Sequence, residues 1–247
     1  MAKLFIDTHV HIYPEYDVSG LLDASLGNFK KYSDGERDSK LALALTERFD
    51  SNFFKSNKEN SKKFGKWELS YSPKTGLIHA TNSNEEIFLL AGRQNISSEK
   101  LEILTLGSDD FRAEGLPAFE IIKGAQESGL VVILPWSFGK WTGKRLTTLR
   151  KLISDTSLDF CLGDPAHRFG FNPKVFKESP RIVLCGTDPL PLDGEENRVA
   201  SYGSVFEFEE NEVSSKTIVK TLMKGSKQFG TRVGLVEAVK LQLRLRV

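Results

Sequence analysis

The stretch Leu4-Phe5-Ile6-Asp7-Thr8-His9-Val10-His11-Ile12 decides how the rest of the chain is read. Its length and apolar content are those of a β-strand. On a strand residues i and i+2 share a face, so Asp7, His9 and His11 are expected to project together. Half of the chain's four histidines stand here. Buried polar groups are costly unless bonded or ligated. Two imidazoles converging with a carboxylate therefore call for a divalent metal, with Asp7 as a ligand or as the carboxylate that orients a ligating ring.

Runs of similar length recur at 41–46, 86–92, 101–107, 130–136, 158–163 and 182–186. Several are apolar throughout, the pattern of strands covered on both faces in a parallel sheet. Helical stripes lie between some of them: Leu21, Leu22, Leu26 and Phe29; Phe119, Ile121, Ile122 and Ala125, entered at Pro117 and closed at Gly129; Leu146, Leu149, Leu152 and Ile153; and Ile218, Leu222 and Met223 behind Ser214 and Ser215. Alternating strands and helices predict an α/β fold. At 247 residues the expected form is a single domain over 1–247, a TIM-like, distorted β/α barrel of about seven strands. A β-hairpin insertion is expected at about 65–82, turning at Ser72-Pro73-Lys74-Thr75-Gly76. The end of the chain is ambiguous: Val236, Val239 and Leu243 suit a helix, whereas Leu241, Leu243, Leu245 and Val247 alternate like a strand. Helix is favoured.

With 34 basic and 33 acidic residues the net charge is +1, so no global field points to nucleic acid. The lysine-rich segment 55–66 reads as a solvated face, and His79 as a surface residue. Cys161 and Cys185 each sit in an apolar run and are expected to be buried, reduced thiols. Met1-Ala2-Lys3 leads straight into the first strand without a signal peptide, and no apolar stretch approaches the roughly 18 to 20 residues of a membrane span. A soluble, cytoplasmic setting is expected.

In α/β barrels the chemistry gathers at the C-terminal ends of the strands. The residues just past each run are His9 and His11; Thr46-Glu47-Arg48; Gly92-Arg93-Gln94; Ser108-Asp109-Asp110; Pro135-Trp136-Ser137-Phe138-Gly139-Lys140-Trp141; Gly163-Asp164-Pro165-Ala166-His167-Arg168; and Gly186-Thr187-Asp188-Pro189. Two imidazoles with carboxylates suit zinc, manganese or iron. Asp188 is the candidate that completes the site and takes a proton from the attacking water, and the alternative is a turn residue before Pro189. Asp164, Glu47 and His167 are further candidates. Lys140 and Arg145, beside glycines at a helix start, would clamp an anion, with Arg48 and Arg93 on the same rim.

These residues resemble a known superfamily. Phe5-Ile6-Asp7-Thr8-His9-Val10-His11-Ile12 is similar to the first strand of the amidohydrolase superfamily and the PHP phosphoesterases, metal-dependent hydrolases. Gly186-Thr187-Asp188-Pro189 resembles their closing strand, where Gly-Ser/Thr-Asp supplies a metal-binding aspartate. The resemblance departs at several places. Glu47 and Arg48 stand in a Thr-Asp-His motif, Gln94 replaces a glutamate, Leu134 replaces a histidine, and Leu190 follows Pro189 where a histidine is usual. Arginine stays protonated and cannot ligate. A three-metal cluster cannot be assembled from this set.

The expectation is one ion held by His9, His11 and Asp188, with Glu47 or Asp164 added. A metal-bound hydroxide would hydrolyse a small anionic substrate, such as a phosphoester. Arg48, Arg93, Lys140, Arg145 and His167 would contact that substrate. The alternative is a catalytically degenerate PHP-like domain that binds an anionic ligand or a partner in the inherited pocket. Substrate, metal and oligomeric state are not legible in the sequence.

Overall fold

The computed structural model of the chain describes residues 2–33, 38–137, 139–168, 173–210 and 212–245. Its strands are β1 (Ala2–Val10), β2 (Lys40–Leu45), β3 (Lys62–Phe64), β4 (Trp67–Ser72), β5 (Leu77–Asn82), β6 (Glu85–Leu90), β7 (Gly92–Ile96), β8 (Glu102–Leu106), β9 (Val131–Pro135), β10 (Cys161–Pro165), β11 (Val183–Gly186), β12 (Tyr202–Phe208) and β13 (Lys227–Gly230). Its helices are α1 (Val18–Tyr32), α2 (Phe53–Glu59), α3 (Ala118–Glu127), α4 (Gly143–Ser154), α5 (Lys174–Glu178), α6 (Ser215–Leu222) and α7 (Leu235–Arg244). The terminal run is thus helical as far as Arg244, and Val247 lies outside the described residues.

The closed barrel expected from the sequence is not formed. Eight strands make one sheet in the order β13-β12-β1-β2-β6-β5-β4-β3, and five make another in the order β11-β10-β9-β8-β7. Closure fails because both edges of the parallel core β1-β2-β6 are taken by antiparallel strands. β12 runs antiparallel along β1, and β5 runs antiparallel along β6. The sheets meet locally past the strand ends, where Glu47 and Arg93 form a parallel bridge and Asp188 N donates to His9 O. The 67–77 hairpin is part of this arrangement: β4 and β5 pair from Ser72↔Leu77 outward and extend the first sheet, with Gly76 at a φ of +71° in the turn. The second sheet is mixed, β8 being antiparallel to both β7 and β9.

The sheets face each other across a core of Leu4, Ile6, Ala42, Ala44, Phe88 and Leu90 on one side and Leu104, Leu106, Val131, Ile133 and Leu184 on the other. Ile218 and Leu222 of α6 pack against it. That helix starts at Ser214, whose side chain accepts from Thr217 N while Thr217 returns a bond to the Ser214 backbone. The outer face of the first sheet is covered by Leu21 and Leu22 of α1, and Trp67 donates to Asp23 of the same helix at 2.8 Å. The outer face of the second is covered by Ile121 and Ile122 of α3 and Leu149 and Leu152 of α4. Each fully buried aliphatic side chain of this kind contributes about 1.5–3 kcal/mol.

Cys161 and Cys185 are free and buried. Burial pushes the Cys161 thiol from 9.0 up to about 12 and the Cys185 thiol up to about 11. Both therefore stay protonated in the fold at a pH where the unfolded chain would ionise them. Their contribution to stability is complete below pH 9 and is lost as the pH climbs towards 11 and 12. Ellman's reagent at pH 8 is expected to label neither thiol in the native protein and both in urea. Rapid native labelling would mean that the second sheet opens locally.

Candidate metal centre

The site is built where the C-terminal ends of β1 and β11 meet. Along β1 the pairing with β2 slips: Asp7 lies opposite Leu43 but Val10 lies opposite Leu45, so β1 carries one extra residue between them. Such a bulge turns the side chains beyond it to the other face. The core shows the change, since Phe5 and Val10 pack in the same outer cluster although strict alternation would separate them. His9 is thereby brought against Leu104, Ile133 and Leu184 on the inner side, and His11 follows one residue past the end of β1.

The expectation that Asp7 shares the face of the histidines is corrected by the same slip. Asp7 is fully buried and accepts from His9 N at 3.2 Å, Thr187 N at 2.8 Å, Ala200 N at 3.0 Å and the Thr187 hydroxyl. Burial, the largest influence, outweighs these four donors and raises its carboxyl to about 6. Asp7 fastens the segment after β11 to β1. Asp188 N completes that seam by donating to His9 O at 2.8 Å. Gly186 permits it, because a Cβ there would lie 2.6 Å from His9 N and 2.8 Å from His9 Cβ. Asp188 itself is held at a φ of +49°, a conformation uncommon for any residue with a side chain.

His9 Nε2 and His11 Nε2 stand 3.0 Å apart, and Asp188 Oδ1 lies 3.3 Å from the first and 3.5 Å from the second. The three form a group that could hold a metal ion, the only such group among the described residues. Sides of 3.0, 3.3 and 3.5 Å give a circumscribed radius of about 1.9 Å, close to the ~2.0–2.2 Å that zinc keeps from imidazole nitrogen and carboxylate oxygen. The protonation states agree with this use. Burial lowers His9 to about 3, so its ring is neutral and has a lone pair to give. Burial would raise Asp188, but the surrounding His9, His167 and His11 override it and hold the carboxyl far below its usual range, so it is ionised.

The other sequence-derived candidates fall into two groups. His167, Arg48 and Lys140 border the same cleft, a cavity of about 450 Å³ that also touches His11 and Asp188. His167 Nε2 is 3.5 Å from Asp188 Oδ2, and its Nδ1 is buried with no hydrogen-bond partner among the described residues. Lys140 pairs with Glu102 at 2.5 Å, and Arg48 lies 3.4 Å from Asp50. Asp164, Glu47, Arg93 and Arg145 do not join them. Asp164 accepts from Arg168 Nε and Nη2, Arg232 Nη1 and the Tyr202 hydroxyl, all within 2.9 Å, so both its oxygens are spent. Glu47 Oε1 accepts from Phe54 N at 2.9 Å, and Oε2 faces Arg93 at 3.4 Å. Arg93 is buried and directed to the carbonyls of Asp109, Arg48 and Ser51. Burial pushes the Glu47 carboxyl up and the Arg93 guanidinium down, while their attraction opposes both shifts. Arg145 donates to Gly139 O at 2.9 Å.

Two cleft residues escaped the sequence reading. Tyr13 continues the spacing His9, His11, Tyr13 and packs against His11 with ring centroids 5.6 Å apart and planes tilted by 44°. Burial, then the Asp188 carboxylate, holds its phenol far above the usual range, so it keeps its proton as a donor. Glu102 lies outside the strand C-termini because β8 runs antiparallel to its neighbours, which puts its first residue at the site end.

No family model matches the chain, and no curated protein matches it. Solved structures do. PsfC from Pseudomonas syringae PB-5123 superposes with a TM-score of 0.63 at 14% identity, covering 99% of this chain and 96% of that one. The lesion-specific endonuclease PfuEndoQ from Pyrococcus furiosus gives 0.56 at 13% identity, covering 97% and 66%. Endonuclease Q in complex with a 27-mer duplex substrate bearing an abasic lesion at its active site gives 0.53 at 16%, covering 97% and 67%. These likenesses establish a shared fold that runs through nearly all of this chain.

Proposed function

We propose that this chain is a PHP-like, metal-dependent hydrolase of phosphoesters. The observation that carries the reading is the triangle of His9 Nε2, His11 Nε2 and Asp188 Oδ1, two imidazole nitrogens and a carboxylate oxygen at ligand spacing. A divalent ion of the zinc, manganese or iron class, when bound there, lowers the pKa of its water towards ~7 and polarises a phosphoryl oxygen. His9, His11 and Asp188 would hold it. Asp188 Oδ2, which faces His167 at 3.5 Å, would receive a proton and pass it on. Lys140 and Arg48 bring positive charge to the cleft, and Tyr13 brings a hydroxyl donor. Arg48 and Lys140, the latter paired with Glu102, are the cations that support an anionic substrate. The endonuclease neighbours widen its class from small phosphoesters to the phosphodiesters of nucleic acid, which the near-zero net charge did not signal.

The test is metal content and turnover together. Protein purified without chelator is expected to carry, or to take up, about one ion per chain, and to hydrolyse p-nitrophenyl phosphate or bis(p-nitrophenyl) phosphate in a reaction that chelation stops. A chain that takes up no ion, or turnover indifferent to chelator, overturns the proposal. A second reading, an anion-binding module, is favoured by Arg48, Gln94, Leu134 and Leu190 standing where the resemblance calls for ligands. It requires that phosphate raise the melting temperature of the metal-free protein.

A further inference from the structure

A second and larger cavity, of about 640 Å³, adjoins the metal centre and shares His11, Tyr13 and Arg48 with its cleft. Its volume is that of a site for a small organic ligand. Four aromatic residues line it: Tyr13, Tyr16, Phe53 and Phe64. Phe53 and Phe64 lie 5.9 Å apart between centroids with their planes 33° from parallel, and Tyr13 and Tyr16 are set edge to face at 5.3 Å. Two buried residues among the lining, Asn57 and Glu47, each hold a buried oxygen with no hydrogen-bond donor among the described residues, Asn57 Oδ1 and Glu47 Oε2. Asn57 spends its amide N–H on Phe53 O at 2.8 Å, and Glu47 Oε2 has only the 3.4 Å ion pair with Arg93. A buried acceptor left unpaired costs ~1–3 kcal/mol, which a ligand donor recovers.

Resting on the hydrolase reading, we propose that this cavity is a specificity pocket for a planar ring bearing N–H donors, carried by the phosphoester whose phosphate lies at the metal centre. Each feature answers to one part of such a molecule. The aromatic walls stack on the faces of a ring. Small turns of the Asn57 and Glu47 side chains would offer their buried oxygens to N–H groups on its edge. Arg48, which borders both cavities, neutralises the phosphate at their junction. A nucleobase has this chemistry, and a simple alkyl group has none of it. The Tyr16 hydroxyl, which donates to Leu190 O, ties the pocket wall to the segment that presents Asp188.

Two phosphodiesters with the same leaving group separate the pocket from the reaction: the p-nitrophenyl ester of thymidine 5′-phosphate and methyl p-nitrophenyl phosphate. The expected ratio of kcat/KM is at least ~10 in favour of the thymidine ester, falling towards one in Phe64→Ala and in Asn57→Leu while metal content stays at the wild-type level. A ratio near one in metal-loaded wild-type protein overturns the pocket and leaves the hydrolase reading standing. Titration of chelated protein with thymidine decides the pocket even if no ester is cleaved. Binding is expected, weakened at least ~10-fold by methylation of the ring N–H in 3-methylthymidine. Equal affinity for the two nucleosides, or none for either, rejects the proposal. Thymidine binding with no metal uptake rejects only the hydrolase.

Discussion

Asp188→Asn is expected to lower phosphoester turnover at least ~10³-fold, about 4 kcal/mol of transition-state stabilisation, and to reduce bound metal below a tenth of the wild-type content. The asparagine keeps the shape and the Asp188 N–H bond to His9 O, so circular dichroism should not change. What it removes is the charge. Two imidazoles then remain as donors, and the proton acceptor opposite His167 is gone. Metal analysis and chromogenic assay of the same preparation check both consequences. A variant that binds its ion normally and retains more than a tenth of the activity would take Asp188 out of the reaction.

Asp164→Ala is expected to be the most destabilising single change, by about 3–5 kcal/mol, a fall in melting temperature of roughly 10 °C or more for a chain of this size. The Asp164 carboxylate sits against two guanidiniums, and the side chain of Arg168 has no exposure at all. Alanine withdraws the negative charge and leaves the desolvation penalty of the arginine in place. The effect also travels to the site, because Arg168 N closes a turn on Pro165 O with His167 inside it. Thermal melts of Asp164→Ala beside an exposed-surface control measure the loss. A shift of a degree or two would show that the cluster contributes little.

Both predictions concern aspartates that look alike in sequence. Each follows a short apolar run and each precedes proline, in Gly163-Asp164-Pro165 and Thr187-Asp188-Pro189. The strand-end rule nominates both. Only tertiary structure tells a carboxylate that faces imidazoles from one enclosed by arginines and tyrosine, since the partners Tyr202 and Arg232 come from 38 and 68 residues away. The same limit applies to Glu47 and Arg93, which face each other at 3.4 Å and bond the neighbouring backbone. The apolar strands, the helical stripes of α1, α3, α4 and α6 and the hairpin turn at Gly76 were legible, because burial and turn geometry act locally on sequence. β7, reading Gly-Arg-Gln-Asn-Ile, and β13, reading Lys-Gln-Phe-Gly, were not, because their residues are mostly polar and their pairing partners are distant. Missing the antiparallel neighbours is what turned two open sheets into an expected barrel.

The histidine pair was read from a regular alternation that β1 does not keep. One surplus residue between Asp7 and Val10 decides which side of the sheet receives the imidazoles. Without the bulge, strict alternation from Phe5 onward would turn His9 and His11 towards the helix-covered side, away from Asp188. What could grip an ion is thus owed to a backbone irregularity, since the same residues in an unbroken pleat would point their imidazoles away from the carboxylate.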